Sequence, residues 1–252
     1  MTESRYIPTN VRETLRKEAF FGCVVCGNPI LEYHHIVPWS DEHHNRPEDM
    51  VAVCPTHHRE IAKRPRAYAY DRKRNPYNKD VGRFEGELST AEAITSFVVG
   101  SNKYKDTPIV FSYFQIPIFR YRIEAQQALI SIFIPDSGFW PEIKVVDNDV
   151  LARTGDFWDI EFSTNFLRFR KRKGENFLSI DLRKNPAEIN ANLMIGGERF
   201  VFSPSSSNIG SAAIRNCQFY NNAAGILYGG RRERLILPNY AMCNPAAWIS
   251  LQ

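Results

Sequence analysis

The sequence predicts an α+β protein in which a small N-terminal domain, residues 1–88, is followed by a mostly β domain, residues 89–252. Three observations support this prediction. All six histidines fall between His34 and His58, close to three of the five cysteines. The hydrophobic pattern around them indicates a strand, a loop, a strand and a helix. From about Pro108 onward, short runs rich in β-branched and aromatic residues are separated by turn residues.

A first predicted helix precedes the histidines. Thr9 or Asn10 can cap it, because either side chain can accept a hydrogen bond from a free backbone N–H. Apolar residues then recur at helical spacing as far as Gly22, namely Val11, Leu15 and Ala19. We expect this helix to lead directly into the first pair of cysteines.

The histidine-rich segment predicts two short strands and a second helix. Leu31–Val37 is a strand that Pro38 stops, and Met50–Val53 is a short apolar strand. Pro55 suits the first position of a helix that runs to about Lys63, since its missing N–H would have no partner there. The next segment, Asn75–Gly86, predicts a linker or an arm lying over the first domain.

Nine short runs predict the strands of the second domain, and each is bounded by turn residues. They are Val110–Phe114, Ile116–Tyr121, Leu129–Ile134, Ile143–Val146, Phe157–Phe162, Phe166–Arg170, Phe177–Asp181, Ala191–Ile195 and Phe200–Ser203. No apolar run has the length that crosses a bilayer, so we expect no membrane partner. Three roles stay open for this domain: target recognition, sensing of a small ligand, or docking of a partner protein or a second copy.

Four residues have the spacing of a structural zinc site. Cys23-x-x-Cys26 and Cys54-x-x-His57 are two half-knuckles, and two residues between ligands let a tight turn aim both side chains at one ion. Zinc binding supplies folding energy that a module with few apolar residues lacks. The alternative, a set of buried thiols, does not explain two correctly spaced pairs.

The remaining histidines can serve a second metal ion. On a helix that starts at Pro55, neighbouring residues differ by about 100° around the axis, so His57 can face the zinc while His58 faces the strands. His34 and His58 then offer two imidazoles, with open positions for water and a phosphate oxygen. His35 can accept a proton from water, because imidazole titrates near neutral pH. Adjacent residues of a regular strand point to opposite faces, so we expect an irregular strand here.

The run from Cys23 to Lys63 resembles the HNH endonucleases, or ββα-metal nucleases, of the subgroup with a zinc knuckle. The matching motifs are Cys23-x-x-Cys26, His34-His35-Ile36-x-Pro38, Asp49-Met-Val-Ala-Val-Cys54-Pro and His57-His58. The resemblance implies that His34 and His58 bind a catalytic divalent ion (Mg²⁺, Mn²⁺ or another) and that His35 is the general base. It also implies that Cys23, Cys26, Cys54 and His57 bind a structural zinc ion.

Asp49 departs from the pattern of that family. It stands where the middle Asn of the family name is expected, a residue that orients the catalytic imidazole or pins the loop. An aspartate also accepts hydrogen bonds, would raise the pKa of a neighbouring imidazole, and can approach the metal. We predict that Asp49 fills the catalytic role of this Asn, and Asn45 is the alternative candidate. His43 and His44 lie in the same loop, and three roles stay open for them: contact with nucleic acid, no contact at all, or a third metal ligand.

The charge distribution favours a polyanionic partner. Residues 59–83 carry nine basic and three acidic residues, an excess larger than the net charge of +4 of the whole chain. We expect DNA, with RNA as the alternative, to contact Arg59, Lys63, Arg64, Arg72, Lys73 and Arg74. Such contacts hold phosphates and carry no sequence information. The alternative is that this segment is a solvent-exposed basic helix and linker without a nucleic-acid partner. Further basic residues occur in Phe166–Gly174 and at Arg231–Arg234.

These features predict a metal-dependent endonuclease that hydrolyses phosphodiester bonds in DNA. By analogy with bacterial HNH nucleases that carry a trailing domain, it would be a restriction or anti-phage effector controlled by that domain. The alternative is a zinc-stapled nucleic-acid-binding module without catalysis. Because the cysteines have metal spacing and the N-terminus has no signal-peptide core, we expect a reducing, cytoplasmic location. There the two leftover cysteines, Cys217 and Cys243, would be free and buried.

Overall fold

The computed structural model describes residues 6–89, 93–229, 235–238, 241–243 and 249–251, the last two segments by their backbone alone. The predicted α+β class is confirmed, with the helices in the first third of the chain and strands in the rest. The basic segment Arg231–Arg234 lies outside the described residues. None of the described helices is long and apolar enough to cross a membrane.

Four α-helices are present in the described residues: α1 Thr9–Glu18, α2 Pro55–Ile61, α3 Arg66–Arg74 and α4 Tyr77–Val81. Pro55 is the first residue of its helix, as predicted. The predicted cap of α1 is wrong, because Pro8 occupies the N-cap position and no side chain caps the helix. Asn75–Gly86 was expected to be a linker or arm, but it contains α4 and the start of a strand. Two 3₁₀ turns, Pro47–Asp49 and Thr154–Asp156, complete the helical elements.

The described part of the chain contains twenty-two strands, numbered here in chain order. They are β1 Glu32–His35, β2 Met50–Val53, β3 Arg83–Glu87, β4 Phe97–Val99, β5 Asn102–Lys105, β6 Ile109–Tyr113, β7 Ile116–Glu124, β8 Gln127–Pro135, β9 Pro141–Val146, β10 Asp149–Arg153, β11 Asp159–Ser163, β12 Phe166–Arg170, β13 Leu178–Asp181, β14 Ala187–Ile195, β15 Glu198–Ser203, β16 Ser206–Ile209, β17 Ala212–Ile214, β18 Cys217–Tyr220, β19 Ala224–Tyr228, β20 Leu235–Ile236, β21 Ala241–Cys243 and β22 Ile249–Leu251. All nine predicted runs coincide with strands of this set.

The strands form three sheets. β1 and β2 are an antiparallel pair that places His34 opposite Val51 and His35 opposite Met50. A second sheet has the order β20-β19-β6-β7-β8-β9-β10-β3. The third has the order β21-β18-β5-β4-β14-β15-β16-β17-β22, and β13, β12 and β11 extend it from β14. Both large sheets mix antiparallel hairpins with a few parallel pairs, such as β14 with β4 and β19 with β6.

The described residues form two hydrophobic cores, a smaller one around the N-terminal helices and the first sheet and a larger one in the β-rich part that follows. The smaller core packs α1 against β2, with Leu15 and Met50 almost fully buried. The larger core lies between the two large sheets and is rich in aromatic residues, such as Phe111 and Phe200. The strand β3 lies before residue 88 but pairs with β10 of the second sheet. The two-domain division therefore stays a prediction, and β3 links its two parts.

A buried ion network joins α1 to the β-rich part. The Asp159 carboxylate on β11 is 1% exposed and accepts hydrogen bonds from Arg16 on α1 and Arg170 on β12.

One prediction about the cysteines is wrong: Cys217 was expected to be free, but it is disulfide-bonded. The antiparallel register of β18 and β21 sets the backbone of Cys243 directly opposite. A disulfide is atypical of the reducing compartment that we expected.

Candidate active site

Cys23, Cys26, Cys54 and His57 converge as the spacing predicted, with all four ligand atoms within 4.8 Å of one another. The sulfurs of Cys26 and Cys54 are 3.9 Å apart, and those of Cys23 and Cys54 lie 3.5 and 3.2 Å from His57 Nδ1. Tetrahedral zinc with bonds of about 2.3 Å to sulfur and about 2.0 Å to nitrogen requires separations of about 3.8 and about 3.5 Å. Burial raises the pKa of Cys23, so a thiolate there needs a cation beside it. The four residues fit a zinc knuckle.

The turn between Cys23 and Cys26 is held by its surroundings. Gly27 has a φ of +77°, which favours glycine, and its N–H donates to the Cys23 carbonyl. The buried side chain of Asn78 on α4 packs against both Gly22 and Gly27, so closely that a Cβ on either would lie 2.4 Å from it. Asn78 also donates to the Phe20 carbonyl. Helix α4 thus locks the knuckle in place.

His34 and His58 face each other with ring centroids 5.1 Å apart. Burial, together with the neighbouring His58 and His35 imidazoles, lowers the pKa of His34 to about 4. His34 is therefore neutral at physiological pH and has a lone pair for a cation. His58 donates from Nδ1 to the Glu32 carboxylate at 2.6 Å, which leaves Nε2 as its ligand atom. The adjacent residues His57 and His58 thus use different ring nitrogens. His57 directs Nδ1 to the cysteine cluster, and His58 has Nε2 left for a metal ion beside His34.

His35 is the last residue of β1, where the chain leaves the regular strand. Its Nε2 lies 3.1 Å from the His44 carbonyl, and a carbonyl only accepts, so Nε2 carries the proton. The basic lone pair is then on Nδ1. The His35 ring also contacts the Trp39 ring edge-on at 5.4 Å, and Trp39 stacks on His43. Both His34 and His35 line one pocket, although β1 pairs with β2 in a regular register up to His35.

His44 is a structural residue of the loop. It is 3% exposed, its Nε2 donates to the Val37 carbonyl, and its Nδ1 accepts from the Arg46 N–H. These contacts fix the backbone carbonyl that holds His35.

The carboxylate of Asp49 accepts hydrogen bonds from Tyr70 at 2.8 Å and from Arg46 at 3.0 Å. The Tyr70 hydroxyl and then the Arg46 guanidinium hold the pKa of Asp49 below its usual value.

The pocket in front of the histidines has a volume of 830 Å³ and a basic wall. Its lining includes His34, His35, His58 and Trp39, and three arginines that follow the second zinc half-knuckle, Arg59, Arg64 and Arg66. Arg66 was counted among the basic residues but not selected as a contact, and it pairs with Asp41. Within the described residues Arg59 and Arg64 form no ion pair, so their charges face the pocket uncompensated.

The other predicted contacts lie elsewhere on the domain. Lys73 donates to the Glu18 carboxylate and to the carbonyls of Pro47 and Met50, and its side chain is 16% exposed. These contacts connect α3 to α1 and β2, so Lys73 has a structural role and is not part of the nucleic-acid surface that we propose. Lys63, Arg72 and Arg74 do not line the histidine pocket. Arg72 pairs with Asp71 next to it.

Residues 23–64 match the family model of the HNH endonucleases. This match, with the Cys3His cluster, shows that this part of the chain is an HNH domain with a zinc knuckle. No significant similarity to a curated protein or to a solved structure is found. The match covers the α1-adjacent knuckle, both strands of the first sheet and α2, and it stops before the β-rich part.

Three residues of the site were missed by the sequence reasoning. Glu32 precedes His34 by two residues and therefore shares its strand face, which is a signal that could have identified it. His44 was seen only as a loop histidine, because nothing local shows that it would be buried. Asn78 lies in the segment expected to be a linker. Its contact with the two glycines depends on the packing of α4, which the sequence does not show.

Proposed function

We propose that this protein is a metal-dependent endonuclease that hydrolyses phosphodiester bonds in DNA. The observation that carries the proposal is a pocket lined by His34, His35 and His58 together with two arginines, Arg59 and Arg64, for which the described part of the chain offers no ion pair. A divalent ion bound by His34 and His58 would supply positive charge to a phosphate oxygen and to the departing oxygen. Zinc held by the knuckle would be structural, since four protein ligands leave no open position.

His35 is the proposed general base. Because the His44 carbonyl holds Nε2–H, Nδ1 can take a proton from a water molecule that attacks the phosphorus. The described hydrogen-bond partners of Asp49 are Tyr70 and Arg46, so we assign it a positioning role in place of the catalytic one. It fixes Arg46, whose N–H in turn meets His44, the residue whose carbonyl orients His35. The Asn of the family is thus replaced here by an aspartate that pins the loop.

Arg59 and Arg64 are the proposed phosphate contacts nearest the reaction. Their charges lie in the pocket wall without a carboxylate partner among the described residues, so a phosphodiester is the fitting counter-charge. Lys63, Arg72 and Arg74 would contact flanking phosphates on either side. Such contacts predict cleavage with little sequence preference from this domain alone. A restriction or anti-phage role, with the β-rich part as the controlling domain, is the biological setting that we propose.

The test is the variant His35→Ala, with His43→Ala, an exposed histidine of the loop that follows β1, as the control. Nicking of supercoiled plasmid DNA in Mg²⁺ or Mn²⁺ should fall by about 10²- to 10⁴-fold in the first variant and stay within about twofold in the second. Zinc content should remain one ion per chain in both. Cleavage retained by His35→Ala would remove the proposed base. Wild-type protein that binds DNA but never cuts it would instead indicate the non-catalytic module.

A further inference from the structure

The outer face of the second sheet turns away from the larger core and carries charges of both signs. Five of its strands lie side by side in the order β7-β8-β9-β10-β3. Successive residues of a strand point to opposite faces, so the buried Val145 and Val150 face the core and the residues next to them face outward. We call this outward surface of the five strands the β7–β3 face.

An apolar strip crosses the middle of the β7–β3 face. Val146 on β9 and Leu151 on β10 are exposed, and Phe133 on β8 is half-buried. Phe133 and Val146, together with the exposed Ile116 at the start of β7, line a groove of 380 Å³. Apolar side chains that are exposed on one continuous surface often mark the place where another molecule binds.

The basic residues of the β7–β3 face lie toward its β7 side. Arg120 on β7 is directly opposite Ser131 on β8. Lys144 on β9 is directly opposite Phe133. Arg120 and Lys144 both line the groove and are exposed, and neither forms an ion pair within the described residues. Their positive charges are therefore available to acidic groups of a partner.

The acidic residues lie on the other side of the face, toward β3. Asp149 on β10 is directly opposite Glu87 on β3, and both residues are exposed. Neither forms an ion pair in the part of the chain that the structure describes, and like charges directly opposite each other destabilise a sheet. A third carboxylate, Glu85, is compensated by Arg83. A positive charge supplied by a partner would relieve the repulsion between Asp149 and Glu87.

We propose that the β7–β3 face binds the same face of a second copy of this chain in a two-fold symmetric dimer. In such a dimer each contact between two different residues occurs twice, once in each direction. Arg120 and Glu87 lie two strands to either side of β9 and are therefore about 19 Å apart. A two-fold axis near Val146 brings Arg120 of each copy to Glu87 of the other. The same axis brings Lys144 toward the partner's Asp149, with the apolar strips packed between these contacts.

The separation of the two charges favours a second copy over another partner. A face with one sign of charge would fit any molecule of the opposite sign, such as nucleic acid or an acidic protein. Here the two signs lie on opposite sides of an apolar centre, so the face is complementary to itself. Its dimensions, about 24 by about 20 Å, are small for a stable interface, so we expect a Kd of about 10 to 100 μM. The proposal does not depend on nuclease activity, because none of these residues lines the histidine pocket.

The experiment is sedimentation equilibrium of the full-length chain at about 1 to about 200 μM, with the variants Arg120→Glu and Glu87→Lys. The wild-type chain should change from monomer to dimer across this range. Each variant alone places like charges at both symmetric contacts, so its Kd should rise at least about tenfold. An equimolar mixture of the two variants should form a heterodimer with wild-type affinity, because both contacts then join opposite charges. The control is Lys103→Glu, at an exposed lysine of β5 in the third sheet, which should dimerise like wild type.

Three results would overturn the proposal. A wild-type chain that stays monomeric at about 200 μM would do so without any variant, and the face would then belong to a different partner. A dimer that both charge-reversal variants leave unchanged would have its interface elsewhere. A mixture of the two variants that stays monomeric, although thermal unfolding shows that both are folded, would exclude the paired contact of Arg120 with Glu87.

Discussion

The contact between Glu32 and His58 predicts how the protein would hold the proposed catalytic ion. The Glu32 carboxylate accepts from His58 Nδ1 at 2.6 Å, which fixes the ring beside His34 and leaves Nε2 available to a metal ion. Partners of this kind typically change metal affinity or activity by about 10- to 100-fold when they are mutated. Here the side chains of His58 and Glu32 are 35% and 47% exposed, so solvent weakens the interaction and the lower end applies. We therefore expect a tenfold loss of metal affinity, which is about 1.4 kcal/mol, for Glu32→Gln.

The assay for Glu32→Gln is plasmid nicking at a series of Mn²⁺ concentrations. The half-activating concentration should rise about tenfold, while the rate at saturating Mn²⁺ should stay within about threefold, because His35 is untouched. Glu48→Gln, an exposed glutamate of the same domain, is the control and should behave as wild type. An unchanged half-activating concentration in Glu32→Gln would refute the assignment of His58 Nε2 to the ion. If the rate at saturating Mn²⁺ fell while the half-activating concentration stayed the same, Glu32 would instead have a role in the chemical step.

Three further predictions concern stability. Removing zinc with a chelator, or replacing Cys54 with Ala, should unfold the N-terminal part as measured by near-ultraviolet circular dichroism, and added zinc should restore only the chelated protein. Asp49→Asn should lower the free energy of unfolding by about 1 kcal/mol. The pKa of Asp49 is lowered, so its stabilisation is complete above its unfolded value, 3.8, and the difference should be equal at pH 5 and pH 8. Asp159→Ala should cost about 3 kcal/mol in denaturant titration, because it leaves the largely buried Arg16 without the carboxylate that it pairs with and removes one of the three carboxylates around Arg170. Glu124→Ala on the surface should cost under about 0.5 kcal/mol.

The HNH domain could be predicted from the sequence because its chemistry is local. Two-residue spacings set the ligand pairs, and Pro55 fixes where α2 begins, so the turn of the helix decides that His57 and His58 face different sites. The hydrogen bonds that tune these groups were not predictable in the same way. Glu32 and His58 are far apart in sequence, and the burial of His44 follows from the path of the whole loop.

The strands of the β-rich part were predictable and their arrangement was not. Alternating apolar residues identify a strand such as Phe166–Arg170 from its own sequence, and the structure has the same bounds. That strand pairs with the strands before and after it in the chain, but other pairings in the same sheet depend on contacts between distant residues. The parallel pairing of β14 with β4 joins residues about ninety positions apart, and no local pattern encodes it. The disulfide at Cys217 was missed for the same reason, because it depends on which strands become neighbours.

The buried ion network gives the β-rich part a physical connection to the candidate active site. Arg170 on β12 pairs with Asp159, and Asp159 also binds Arg16 of α1. The Arg16 guanidinium lies 3.4 Å from the Tyr33 hydroxyl, and Tyr33 precedes His34 on β1. Coupling between two sites needs an unbroken series of contacts whose arrangement both sites can bias. Because the Arg16 guanidinium contacts both the Asp159 carboxylate and the Tyr33 hydroxyl, we expect a change at Asp159 to act on the strand that carries His34 and His35.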